Sequence, residues 1–331
     1  MYLGSSAPIL TDVTFIDNTT EGGGSSFGGG MYLDNSSPTL LDVTFIDNSS
    51  TQKGGGMYIT GSNWPDDDEK LTNLTRVSFI GNSATSLNGY GGGMYITHSN
   101  SVTLLDVTFS SNTARNGGGM NIVSSSPILT GITFSGNTVI DFGGGMYLRN
   151  SNPTTLTGVT FSGNTASSGG GMYISYSSST LTDVTFHSNT AEVSGGGLQA
   201  RYSNIQITRS DFLFNSVNND AGSSYGGGLS YFNSNNTDTN SFQISIRNSK
   251  FSYNSVTATQ SDSYAMAGGL TIGQYNDNST ISFDIHNCNI QYNTAESYGG
   301  IRIAGEKIKF IFDNNQVISM MVDIYNVPKI N

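Results

Sequence analysis

The sequence predicts an all-β solenoid, a parallel β-helix of about eleven rungs with three short strands in each. Three observations predict it. A glycine run followed by an apolar triplet recurs ten times, an alternating segment ending in F-x-x-N (with Ile290 for Phe in one copy) follows, and the residues between are Ser, Thr and Asn rather than charges. The residue after each glycine run falls at Met31, Met57, Met94, Met120, Met146, Met172, Leu198, Leu229, Leu270 and Ile301, with Met1 as a headless first member, and half of the ten intervals are 26 residues. A period in this range marks units that bury their apolar faces only against their neighbours.

The first strand is the triplet, apolar at its first and third places (Met31/Leu33, Met94/Ile96, Leu270/Ile272) and variable at its second. That is the period-two mark of a half-buried strand. The second is a short inward segment around a Leu (Leu40, Leu104, Leu181), set off by an Asp or Gly bend (Asp42, Gly131, Gly158, Asp183). The third is Val43-Thr44-Phe45 and its copies, with Thr outward. Triplet-to-Phe spacing stretches from 14 or 15 residues to 20 or 22 in three units, while Leu-to-Phe spacing stays at five. Insertions therefore enter after the triplet or after F-x-x-N; an insertion within a strand would slip its register. Residues 1–315 form the array, and 316–331 form a degenerate C-terminal rung, cap or junction.

The Asn of F-x-x-N recurs at Asn18, Asn48, Asn82, Asn112, Asn137, Asn164, Asn189, Asn215, Asn254 and Asn293. An amide both donates and accepts, so Asn at one corner of successive rungs is expected to form a structural ladder. The glycines serve a bend that needs positive φ or close backbone approach. No helix pattern or Lys-Ser/Thr follows any of them, against a phosphate-binding loop.

GGGMY, GGGLQ and GGI together with FIDN, FSGN and FSSN resemble the paired motifs of the chlamydial polymorphic outer membrane protein repeat family, over roughly residues 1–315. The resemblance implies a right-handed β-helix of the kind displayed by secreted surface proteins, many of them adhesins. The signal sequence and C-terminal membrane barrel of that family are not found in these 331 residues. Met1-Tyr2-Leu3 lies in register with later triplets, as though the chain were cut inside an array.

Few residues suggest chemistry. Only 11% of the chain is charged, and the net charge of −11 with 13 scattered Lys and Arg disfavours nucleic acid and anionic membranes. No apolar run is long enough to span a bilayer as a helix. Cys288, the single cysteine, is expected to be a buried thiol. The inter-strand Asp column is broken by Gly131 and Gly158, Arg149 and Arg201 stand two rungs apart, and His98, His187 and His286 occupy three different repeat positions. Asp66-Asp67-Asp68-Glu69 lacks the spaced ligand pattern of a calcium loop. No catalytic residue, metal site or cofactor is expected.

The outward place of the triplet holds Tyr2, Tyr32, Tyr58, Tyr95, Tyr147 and Tyr173, a stripe that reads either as cross-strand stabilisation or as a face for a glycan or another solenoid. N-glycosylation sequons in accessible positions are Asn35, Asn73, Asn235 and Asn278, the last three assigned to long insertions. The expected role is non-catalytic: an extracellular or cell-surface structural and adhesive rod. Its expected partners are copies of itself or other β-helix segments, stacked end to end into fibres, and glycans. The competing readings are a polysaccharide lyase or hydrolase and a glycan-binding module using the tyrosine stripe.

Overall fold

The computed structural model describes residues 1–22, 26–61, 71–220, 222–234, 240–258, 264–275, 279–297, 299–305 and 308–317. Every strand pairs in parallel with its counterpart one repeat away, giving three eleven-stranded sheets and a fourth with nine strands along its main path. The first sheet carries the triplets, such as Met94–Thr97. The second carries the Leu segments, such as Val102–Leu105, and the third the Val-Thr-Phe segments, such as Thr108–Ser110. Met94 pairs with Met120, and Met120 with Met146, so identical letters occupy adjoining layers.

The fourth sheet corrects the expectation of three strands per rung. It follows F-x-x-N and includes Thr113–Asn116 and Thr138–Phe142. Small apolar side chains turn inward there in two clusters: Ala84, Ala114, Val139 and Ala166, then Ala191, Val217, Val256 and Ala265. A single Ala among Ser and Thr is too weak a period-two signal to read as a strand.

The corners follow from backbone sterics. The first glycine of the run has positive φ, as at Gly28 (62°), whereas the second and third are held by crowding. A Cβ on Gly29 would lie 2.3 Å from Gly55 O, and one on Gly30 would lie 2.8 Å from the Phe45 ring. Left-handed residues also mark the bend before Val (Asp42, φ 55°) and the place two after Phe (Asp47, φ 52°). Short polar side chains tolerate this region by bonding locally.

Inside, the F-x-x-N phenylalanines stack from Phe15 to Phe251 with centroids 4.4 to 4.9 Å apart and planes within 13°. This spacing matches that of adjacent strands, so ring stacking and backbone pairing reinforce each other. Cys288 is buried in the inward column of Val43 and Val77, and desolvation raises its thiol pKa, keeping it neutral. At the C-terminal end, Gln316–Val317 still pairs with Asn289–Gln291, two residues past the expected end of the array; 318–331 lie outside the described residues.

Candidate functional site

Each corner aligns one residue per rung, so any binding surface must be built from files of side chains. Along the Asn file, Asn48 Nδ2 donates to Asn82 Oδ1 at 3.0 Å and to Phe15 O at 2.9 Å, while the Asn48 backbone N–H shares Asn82 Oδ1 at 3.0 Å. The same set recurs at Asn82, Asn112, Asn137, Asn164, Asn189, Asn215 and Asn254. Asn18 donates to Asn48 at one end, and Asn293 donates to Phe251 O at the other. From Asn48 to Asn293 these amides are buried and engaged inside the protein, whereas Asn18 at the first rung is exposed; the N-x-S/T sequences at Asn18 and Asn48 lie within the file.

A second file escaped the sequence reading. Five residues after the head of the triplet stands a serine whose Oγ accepts from the serine N–H of the preceding rung: Ser99 to Ser125, Ser125 to Ser151, Ser151 to Ser177 and Ser177 to Ser203, at 3.1 to 3.2 Å. Each hydroxyl from Ser125 to Ser203 also donates to the carbonyl two residues back. The constant offset was the available signal, hidden by the abundance of serine.

The tyrosine stripe is corrected. Tyr2, at the first rung, is 62% exposed and Tyr32 is half-buried, but Tyr58, Tyr95, Tyr147 and Tyr173 are buried. The residue before each glycine run folds over them: Phe27 stacks on Tyr58 at 4.7 Å, Lys53 Nζ lies 4.9 Å above the Tyr95 ring, and Phe142 lies 4.7 Å from Tyr173. Desolvation pushes the Tyr58 and Tyr95 phenols up to about 12. These four tyrosines form an outer satellite core and no open face.

Asn73, expected in a loop, belongs to strand Thr72–Thr75, half-buried between Thr39 and Thr103 in register. Asn35 is a half-buried corner residue at φ 49°. Asn235, Asn278 and Asp66 to Glu69 lie outside the described residues. Among those described, no group of three or more His, Cys, Asp or Glu comes together as a metal site.

Aromatic side chains do reach solvent, at a corner the sequence reading passed over. Four residues after the head of the triplet, where other rungs place Ser5, Asn35 or Asn150, stand Tyr176 and Tyr202, at φ 50° and 48°. A bulky side chain in the left-handed region is strained, and such strain concentrates at working surfaces. Tyr176 is 46% exposed and stacks on the buried Tyr202 at 5.0 Å and 17°. Phe242 lies 6.2 Å beyond Tyr202. The three border a groove of about 310 Å³ whose other lining residues are Asn152, Ser177, Ser178, Asn204, Asn240 and Ser241. Asn204 Nδ2 donates to Ser178 Oγ at 3.4 Å, and Asn204 Oδ1 accepts from Gln243 N at 2.9 Å. The serine file sets the backbone beneath. Among the described residues the lining thus combines aromatic rings, amides and hydroxyls, with no carboxylate, imidazole or ammonium.

A family model described as a right-handed beta helix region matches residues 66–244. No curated protein matches the chain by sequence. Among solved structures, the chain is similar to PfbA, a surface adhesin of Streptococcus pneumoniae, at 12% identity and a TM-score of 0.30, covering 98% of this chain and 84% of that one. It is also similar to the receptor-binding domain of the Siphovirus 9NA tailspike, at 10% identity and a TM-score of 0.19, covering 98% and 74%.

Proposed function

Starting from a chain that belongs to the right-handed β-helix family, we infer that this protein is a rigid, non-catalytic, surface-displayed rod that adheres by holding an uncharged saccharide in the groove at Tyr176. The carrying observation is the exposed Tyr176 ring set among amides and hydroxyls, with no charged group among the described residues of the lining. A sugar offers an apolar C–H face and a rim of hydroxyls; the ring takes the first and Asn152, Asn204, Asn240 and Ser178 take the second. Hydrolysis or elimination of a glycosidic bond would need a carboxylate or another acid–base pair beside the ligand, and the described residues of the lining supply none. The motif resemblance to bacterial surface repeats favours display outside the cell.

Ordered corners favour affinity because the site loses little freedom on binding. The test is retention on an array of neutral and acidic oligosaccharides, comparing the natural protein with Tyr176→Ala and with the buried-file variant Tyr147→Phe. Retention of neutral glycans that Tyr176→Ala abolishes and Tyr147→Phe keeps is the expected result. Retention that survives Tyr176→Ala, or release of soluble product from a polysaccharide, overturns the reading.

A further inference from the structure

We propose that the outer face of the third sheet near its C-terminal end is a second binding site, separate from the Tyr176 groove, and that it takes a carboxylate-bearing saccharide. Two files change character together there. Two places after Phe, earlier rungs carry Asp47, Gly136 or Ser188, but the later ones carry Phe214, Tyr253 and Tyr292 at φ 57°, 57° and 56°. Their rings stack at 5.0 and 5.1 Å and stay 51%, 48% and 52% exposed. Three consecutive aromatic residues in the left-handed region, left half in water, carry conformational strain without the return of full burial.

At the opposite edge of the same strands, the bend before the inward column becomes Asn248, Asn287 and Asn314. Asn314 Nδ2 donates to Asn287 Oδ1 at 3.2 Å and Asn287 Nδ2 to Asn248 Oδ1 at 2.7 Å, so the file is polarised one way. Among the described residues no acceptor meets Asn248 Nδ2, which stands at the head of the file. These amides line a groove of about 450 Å³ with Lys250, Asn289 and Gln316. Nearby cations are engaged, Arg209 by Asp183 and Arg247 by Asp284, whereas Lys250 lines the groove and, among the described residues, no carboxylate does. Asp211 precedes Lys250 in register but forms no ion pair with it among the described residues.

The face therefore offers a cation and an open amide donor for a carboxylate, further amides for hydroxyls, and an aromatic edge for an apolar rim. A second copy of the chain fits less well, because the net charge of −11 opposes self-association.

Calorimetric titration with a uronate-containing tetrasaccharide and its carboxyl-reduced counterpart tests the site. The expected result is at least about tenfold tighter binding of the acidic form, about tenfold loss in Lys250→Gln and a gain in Asp211→Asn. Melting temperature checks that each variant folds. Tyr176→Ala should leave acidic binding intact. Equal affinity for the reduced sugar, indifference to Lys250→Gln, or no acidic binding by a protein that still retains neutral glycans overturns this proposal and leaves the Tyr176 groove standing. Acidic binding lost in Tyr176→Ala would place both ligands in one groove and also overturn it.

Discussion

Tyr58 and Tyr95 show how much a residue's role here depends on the neighbouring rung. Alternation places both rings outside the first sheet, and that placement is right; what lies over them is decided by Phe27 and Lys53, residues of the preceding turn of chain. Burial holds the two phenols neutral up to about 12, against an ordinary value near 10. A folded-state pKa above the unfolded one contributes stability that is complete below about pH 10 and lost as pH rises from about 10 to 12. An ultraviolet titration of tyrosinate should therefore show these residues ionising late, with thermal stability falling over the same window in wild type and less in a Tyr58→Phe/Tyr95→Phe variant. Simultaneous early ionisation of all tyrosines in folded protein would contradict the buried file.

At the scale of the element, the corner sets the rules. The first glycine of each run accepts positive φ without cost, and Ala267, at 55°, is the residue that takes this place in the rung headed by Leu270. At the equivalent Gly226 a Cβ would meet Leu229 O at 2.3 Å, so Ala267 must displace its neighbours slightly. Ala267→Gly should raise stability by about 1 kcal/mol, read as a higher denaturant midpoint at unchanged slope. Corners also mark the limit of what the sequence discloses. The Met, Leu and Phe columns are legible because an apolar residue stands out among Ser, Thr and Asn, and the Asn file is legible because each member sits three residues after an inward Phe or Ile. The fourth sheet is carried by Ala114 and Val139 among Ser and Thr, and the serine file is carried by the chain's commonest kind of residue. Neither stands out from its background. Tyr176 and Tyr202 follow a strand whose own alternation marks Tyr173 as outward, and alternation carries no signal at the corner beyond the strand, where Tyr176 is exposed.

Over the whole molecule the same stacking that makes a rod also separates its regions. Continuous inner files of Phe and Asn run nearly its full length, giving on the order of 50 Å of axis at one strand spacing per rung. Outer files change part-way: the tyrosine file ends at Tyr173, Tyr176 begins the neutral groove, and Phe214 begins the C-terminal aromatic edge. The core is thus uniform while the surface is divided, and both proposed sites lie where bulky residues occupy corners that elsewhere hold Ser, Asn, Asp or Gly.

Hydroxyl-radical footprinting of tyrosines, with and without a retained neutral glycan, addresses this division most directly. Tyr58, Tyr95, Tyr147 and Tyr173 should resist oxidation in both states, and Tyr176 should react in the free protein and become protected on binding. Ready oxidation of the four buried tyrosines in folded protein, or a Tyr176 whose reactivity does not change at saturating glycan, would contradict the account.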